Sequence, residues 1–187
     1  MPELPEVEIT KRGVAQHFAG QQLLACKVRQ PRLRWPVPQE VQQCVSHVLQ
    51  AVERRSKYMV MDFGEHVLVV HLGMSGSMKI VTADTPWEKH DHIEWSFGAR
   101  VLRYNDPRRF GSVDYVRKLP GWESSFQRFA KLGPEPFSPQ FSAESLFAAI
   151  RGKKVSIKAL LLSGAAVVGV GNIYACEALF RSAIRPR

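Results

Sequence analysis

The sequence predicts an α+β protein: one N-terminal helix, a β-sandwich, and then a run of short helices. Three observations carry this reading. Apolar residues recur at loosely helical spacing near the N-terminus. Residues 23–118 break into many short β-like segments with turn residues between them. At Leu119-Pro120-Gly121-Trp122 the composition shifts, and the patterning beyond it is helical. Two domains are therefore expected, over 1–118 and 119–187.

Each element has a local reason. Over 5–18, Val7, Val14 and Phe18, with Ile9 nearby, mark a helix that Gly20 ends. Residues 25–29 alternate. Residues 57–63 read as a strand, Gly64-Glu65 as a turn and 66–72 as a buried strand. Strands at 78–81, 92–97, 100–104 and 112–116 follow, with Gly98-Ala99 a tight hairpin. Helices are expected over 124–132, stopped by Gly133-Pro134, and from a Ser142 cap through 150. Two more are expected over 155–162, with Gly164 at its end, and over 173–182. The sequence ends five residues after the last of these, at Arg187, so the set reads as an incomplete bundle.

The bulk numbers narrow the function. With 187 residues the chain holds one domain with a sizeable core, or one plus part of another. A hydrophobic fraction of 45% is that of a globular protein. A net charge of +9 points to a polyanion, either nucleic acid or an anionic membrane surface. No run of 18 apolar residues is present, so no membrane span is expected, and the N-terminus does not read as a secretory signal. Cys26, Cys44 and Cys176 are far apart and form no CxxC. That predicts no metal site and no disulfide framework, but reduced thiols in a cytoplasmic protein.

Chemistry concentrates in a few places. Removal of Met1 would leave Pro2 as a secondary amine with Glu3 and Glu6 close behind. An α-amino group has a pKa of about 7.7–8.0 against about 10.4 for lysine, so far more of it is unprotonated near neutrality. Pro2 can therefore be a nucleophile toward a sugar carbon, with Glu3 and Glu6 moving protons. The same residues also suit an ordinary helix start, with Pro5 at the first helical position and acids at the positive end of the dipole.

The segment His71-Leu72-Gly73-Met74-Ser75-Gly76 is a strand running into a glycine-punctuated loop. Met74 is either a packed core residue or a wedge between bases. In Asn105-Asp106-Pro107-Arg108-Arg109-Phe110-Gly111, two arginines beside an aromatic fit nucleic acid, or else a solvated pair beside a core phenylalanine. Gly169-Val170-Gly171-Asn172 offers backbone N–H groups to a phosphate, or simply caps a helix with Asn172. It is neither a Walker loop nor a full dinucleotide fingerprint. Lys158, one helix earlier, could add charge, whereas Lys57 opens a strand and His90 precedes another, each alone reading as a surface residue.

Together these residues resemble the formamidopyrimidine-DNA glycosylase family. The resemblance runs through PELPEVE at 2–8, RRSKY at 54–58, HLGMSGS at 71–77, KHDH at 89–92, RYNDPRRFG at 103–111, LGPEP at 132–136 and GVGNIYACEALF at 169–180. Leu4 separates it from the endonuclease VIII group, which typically has glycine there. The resemblance implies a base-excision repair enzyme that removes oxidised purines such as 8-oxoguanine and formamidopyrimidines from duplex DNA. It would act as a monomer in the bacterial cytoplasm and also cleave abasic sites. It makes Pro2 the nucleophile and Glu3 the acid–base residue, has Glu6 hold the N-terminus and sugar, and gives Lys57 catalytic support. His71, His90, Arg109, Lys158 and Asn172 would grip DNA, and Met74, Arg108 and Phe110 would fill the space of the flipped base. Glu135 and Glu177 match anchoring carboxylates.

The chain departs from the family pattern at three places. Two further helices of the family's helix–two-turn–helix domain and its four-cysteine zinc finger are not in this sequence, so no cofactor is expected among these residues. Leu162-Ser163-Gly164 stands where the family has an aspartate, and the hairpin at Gly98-Ala99 is about one residue short. Two other readings stand beside the first. One is a DNA-binding remnant without turnover, and the other is an endonuclease VIII-like enzyme for oxidised pyrimidines.

Overall fold

The computed structural model describes residues 2–186. Met1, whose removal the sequence reading requires, and Arg187 lie outside the described residues. Helix α1 (Leu4–Phe18) comes first, then β1 (Ala25–Val28) and a 3-10 turn at Gln39–Cys44. β2 (Ala51–Arg55), β3 (Tyr58–Asp62), β4 (His66–His71) and β5 (Ser77–Thr82) follow. β6 (Asp91–Ser96), β7 (Arg100–Asn105) and β8 (Ser112–Arg117) complete the strands. The helices α2 (Trp122–Ser125), α3 (Ala143–Ile150), α4 (Ile157–Ser163) and α5 (Asn172–Arg181) close the chain. No described helix is long and apolar enough to cross a membrane.

The chain divides into two compact units, Met1–Trp122 and Glu123–Arg187. In the first, α1 begins with a reciprocal capping box. The Glu3 carboxylate accepts the Glu6 N–H, and the Glu6 carboxylate accepts the Glu3 N–H at 2.8 Å. This satisfies two of the N–H groups that a helix start leaves open. Val7, Val14 and Phe18 face inward at helical spacing, while Ile9 points to solvent.

Two four-stranded antiparallel sheets, ordered β1-β6-β7-β5 and β2-β3-β4-β8, form the sandwich. Val67, Leu68, Val69 and Val70 of β4 are fully buried, as a central strand requires. The core between the sheets holds Phe18, Leu23, Met61, Phe63, Leu68, Ile93, Trp95 and Leu102. β2 has no counterpart in the sequence reading. It is an edge strand carrying Glu53, Arg54 and Arg55, and edges tolerate charge where central strands do not.

The second unit is held by a small core of Leu161, Val167, Ala175 and Leu179. The helix expected over 124–132 is only the four residues of α2 followed by turns. Phe126 and Phe129 pack edge to face at 4.9 Å, and tight bonds such as Phe129 N–H to Phe126 O replace the helical ladder. Ser142 caps α3 through the Ser145 N–H, and Gly164 ends α4 in the left-handed region, φ 73°. Gly171, not Asn172, is the cap of α5, and Asn172 is its first helical residue.

Candidate functional site

Pro2 sits just before the capped start of α1, half-exposed, while Glu3 beside it is buried. The helix-start reading of this segment is what the structure shows. The helix start is well formed, and it presents Pro2 outside the helix.

Lys57 is reached from another direction. β2 and β3 are joined by the two-residue tip Ser56-Lys57, with Ser56 at φ 56°. Lys57 is thus at a hairpin tip rather than opening a strand. Burial pushes its ammonium below the ordinary lysine value, and the Glu3 carboxylate opposes that shift. The hairpin is braced to α1 by Glu8, which accepts from Arg54 Nε at 3.1 Å and Arg12 Nε at 2.9 Å. Arg54 Nη1 also donates to the Ser56 carbonyl at 2.8 Å. Burial pushes the Glu8 carboxyl up, but hydrogen bonds from Arg12 and Arg54 outweigh it and leave the group below its usual range.

Strand register carries the site onward from Lys57. Tyr58 at the start of β3 pairs with His71 at the end of β4, and their rings lie 4.7 Å apart. His71 pairs on its other side with Ser112 of β8. His71 Nδ1 accepts the Gly73 N–H at 3.0 Å, which fixes its proton on Nε2. Two loops cross between the sheets here. Residues 72–76 run from β4 to β5, and residues 106–111 run from β7 to β8.

The two loops touch through glycine. A Cβ on Gly73 (φ 65°) would lie 2.4 Å from Gly111 N and from the Phe110 carbonyl carbon. A Cβ on Gly111 would lie 1.8 Å from the Tyr104 hydroxyl. Beyond the contact, Met74 is 44% exposed and Phe110 43%, so neither is a core residue. The Arg108 guanidinium lies 4.7 Å from the Phe110 ring centre, and Arg109 is exposed at φ 54°. A cleft of about 770 Å³ is lined by His71, Met74, Arg108, Arg109 and Phe110 together with Arg32 and Arg34, and the Arg34 N–H donates to the Gly111 carbonyl at 3.0 Å. His90 joins through its carbonyl, which accepts the Asp106 N–H at 3.0 Å.

The structure therefore gathers Glu3, Glu6, Lys57, His71, Met74, His90, Arg108, Arg109 and Phe110 along one end of the sandwich. Lys158 on α4 and Asn172 on α5 lie in the second unit. There Gly169, at φ 82°, and buried Gly171 shape the turn into α5. The sequence reading missed Arg32 and Arg34, whose only signal was the arginine alternation before Trp35. It also passed over Asp106, a lone acid in a basic loop.

Among the described residues no group of three or more His, Cys, Asp or Glu could hold a metal ion. Cys26 and Cys44 are buried in the sandwich, where burial pushes each thiol up to about 12, and Cys176 is exposed on α5. These three do not fit a four-cysteine zinc site.

A family model for the formamidopyrimidine-DNA glycosylase N-terminal domain matches residues 1–113, and one for the H2TH domain of the same enzymes matches 132–187. The formamidopyrimidine-DNA glycosylase of Shewanella amazonensis is 50% identical over 187 residues, covering all of this chain and 68% of that protein. The enzyme of Paraburkholderia phytofirmans is 46% identical, over all of this chain and 69% of its own length. The Lactococcus lactis enzyme bound to DNA containing an abasic site superposes with a TM-score of 0.91 at 32% identity, over 98% of this chain and 71% of that one. The same protein with DNA containing N7-benzyl-Fapy-dG gives 0.90 over 99% and 69%. Matched from end to end at both the sequence and the structural level, the chain belongs to the formamidopyrimidine-DNA glycosylase family.

Proposed function

We propose that the chain is a base-excision repair DNA glycosylase with abasic-site lyase activity, acting as a monomer on oxidised purines in duplex DNA in the cytoplasm. The observation that carries this is the register that lines up Glu3, Lys57 and His71 with the Met74 and Arg108–Phe110 loops along one end of the sandwich. Chemistry on a stacked base requires it to leave the helix, so a nucleophile and a wedge are needed side by side.

Met74 and Phe110 enter the stack as the damaged nucleotide flips, and Arg108 faces the orphaned base. The Pro2 nitrogen, deprotonated, attacks C1′ of the flipped sugar. The C1′–N bond breaks and the base departs with a proton. Opening of the sugar ring moves a proton to its oxygen, a task for Glu3, and leaves an iminium between Pro2 and DNA. Loss of a proton from C2′ then expels the 3′-phosphate, and a second elimination expels the 5′-phosphate. Glu6 holds the backbone of the nucleophile's neighbour through the capping box. Lys57, its charge disfavoured by burial and supported by Glu3, is placed to assist proton transfer or hold a phosphate. His71, His90, Arg109, Lys158 and Asn172 contact phosphates.

Lesion class is tested by measuring base release from duplexes with 8-oxoguanine opposite cytosine and with thymine glycol opposite adenine. Preference for 8-oxoguanine is expected. Preference for thymine glycol overturns the purine reading in favour of the endonuclease VIII-like one.

A further inference from the structure

Asp106 is completely buried where both loops leave their sheets. Oδ1 accepts from the Ser75 hydroxyl at 2.6 Å and the Arg108 N–H at 3.3 Å. Oδ2 accepts from the Gly111 N–H at 2.9 Å and the Tyr104 hydroxyl at 3.1 Å. Its own N–H donates to the His90 carbonyl at 3.0 Å, and its carbonyl accepts from His92 Nε2 at 2.7 Å and the Arg109 N–H at 3.2 Å. One residue thus ties together the Met74 loop, the Arg108–Phe110 loop and the backbone of His90.

Among the described residues this carboxylate forms no ion pair. Neutral donors satisfy it, which leaves the Arg108 and Arg109 side chains exposed on the cleft rather than folded back onto it. A carboxylate that braced only its own turn would be served by the Arg108 and Gly111 N–H groups and would need no donor from another loop. Here the shortest bond, from Ser75, spans 31 residues and fastens the neighbour of one exposed apolar tip to the base of the other.

We propose that Asp106 is the positioning residue that holds Met74 and Phe110 at one fixed spacing, so that they enter the duplex as a unit. The proposal rests on the wedge reading above. Asn at this position keeps the shape but turns an NH2 toward two donors, releasing one pair of bonds. Ser75→Ala cuts only the link between the loops.

The test uses a duplex carrying 2-aminopurine opposite a tetrahydrofuran abasic analogue, whose fluorescence rises when the opposite base is unstacked. Binding is followed by anisotropy so that readings are taken at saturation. The unsubstituted chain should give a several-fold rise and Met74→Ala little. Asp106→Asn should give less than a quarter of the full rise, and Ser75→Ala an intermediate value. Combining Met74→Ala with Asp106→Asn should reduce the signal no further than Met74→Ala alone, which a general loss of stability would not produce. Should Asp106→Asn fail to fold by near-UV circular dichroism, Ser75→Ala decides: an undiminished rise overturns the proposal. A full rise in folded Asp106→Asn overturns it while leaving the wedge reading intact. No rise from the unsubstituted chain at saturation, or a full rise in Met74→Ala, overturns the wedge reading and the proposal with it.

Discussion

Gly111→Ala should be among the most damaging single-methyl additions in the sandwich. The added Cβ would sit 1.8 Å from the Tyr104 hydroxyl and 2.4 Å from the His71 carbonyl oxygen, where about 3.4 Å is comfortable. Tyr104 is fully buried and cannot swing away, and its hydroxyl donates to Asp106. The displacement costs about 1–3 kcal/mol of overpacking, and loss of a hydrogen bond to a charged acceptor adds about 1.5–3. The sum is roughly 2.5–6 kcal/mol. An unfolding entropy of about 2.1 cal/mol/K per residue, over the 122 residues of the first unit, gives about 0.26 kcal/mol/K, so Tm should fall by roughly 10–23 °C. Gly13→Ala is the control. It lies inside α1 with nothing within 4 Å of the new methyl, and helix propensity alone should raise Tm by about 4 °C. Differential scanning calorimetry of both variants is the assay. A fall of less than about 4 °C for Gly111→Ala would refute the close packing of the two loops.

Other outcomes follow from the same geometry. Glu3→Gln removes the charge that opposes burial at Lys57, so the Lys57 pKa should fall further in a 13Cε NMR titration; an unchanged value contradicts their proximity. Burial, and then His47, pushes the His66 imidazole below its ordinary value, and its Nδ1–H donates to Tyr115 at 2.7 Å. A depressed folded value gives stability that is present above the unfolded pKa of about 6.5 and lost as pH falls through the folded one. Tm should therefore drop between pH 7.5 and 5, and less so in His66→Gln; equal drops refute the shift. Arg109→Ala should flatten the salt dependence of duplex binding by about 0.9 in log–log slope, as one lost phosphate contact does. Arg108→Ala should instead weaken preference for cytosine opposite the lesion, read by competition with the other three bases.

Much of this was legible in the sequence because the relevant signals are local. Alternation and buried runs marked seven of the strands, and the Pro2–Glu6 segment read as a helix start with acids at its positive end, where α1 does begin. β2 was hidden because an edge strand with three charged residues lacks the apolar pattern that marks a core strand. The 124–132 helix was overestimated because Phe126 and Phe129, three apart, fit a tight turn as well as a helix. Asp106 was invisible for a different reason. Its meaning lies in donors from residues 75, 104, 108 and 111, which only the crossing of two loops brings to one carboxylate.

The central claim is that Pro2 is the nucleophile. Sodium borohydride reduces an iminium to a stable amine, so the chain should become covalently joined to a duplex containing 8-oxoguanine or an abasic site. Tryptic mass spectrometry should place the adduct on Pro2, with Met1 removed, and Pro2→Gly of intact fold should lose most of it. An adduct on Lys57 or another lysine, or none from a folded chain that still binds the duplex, would contradict the account.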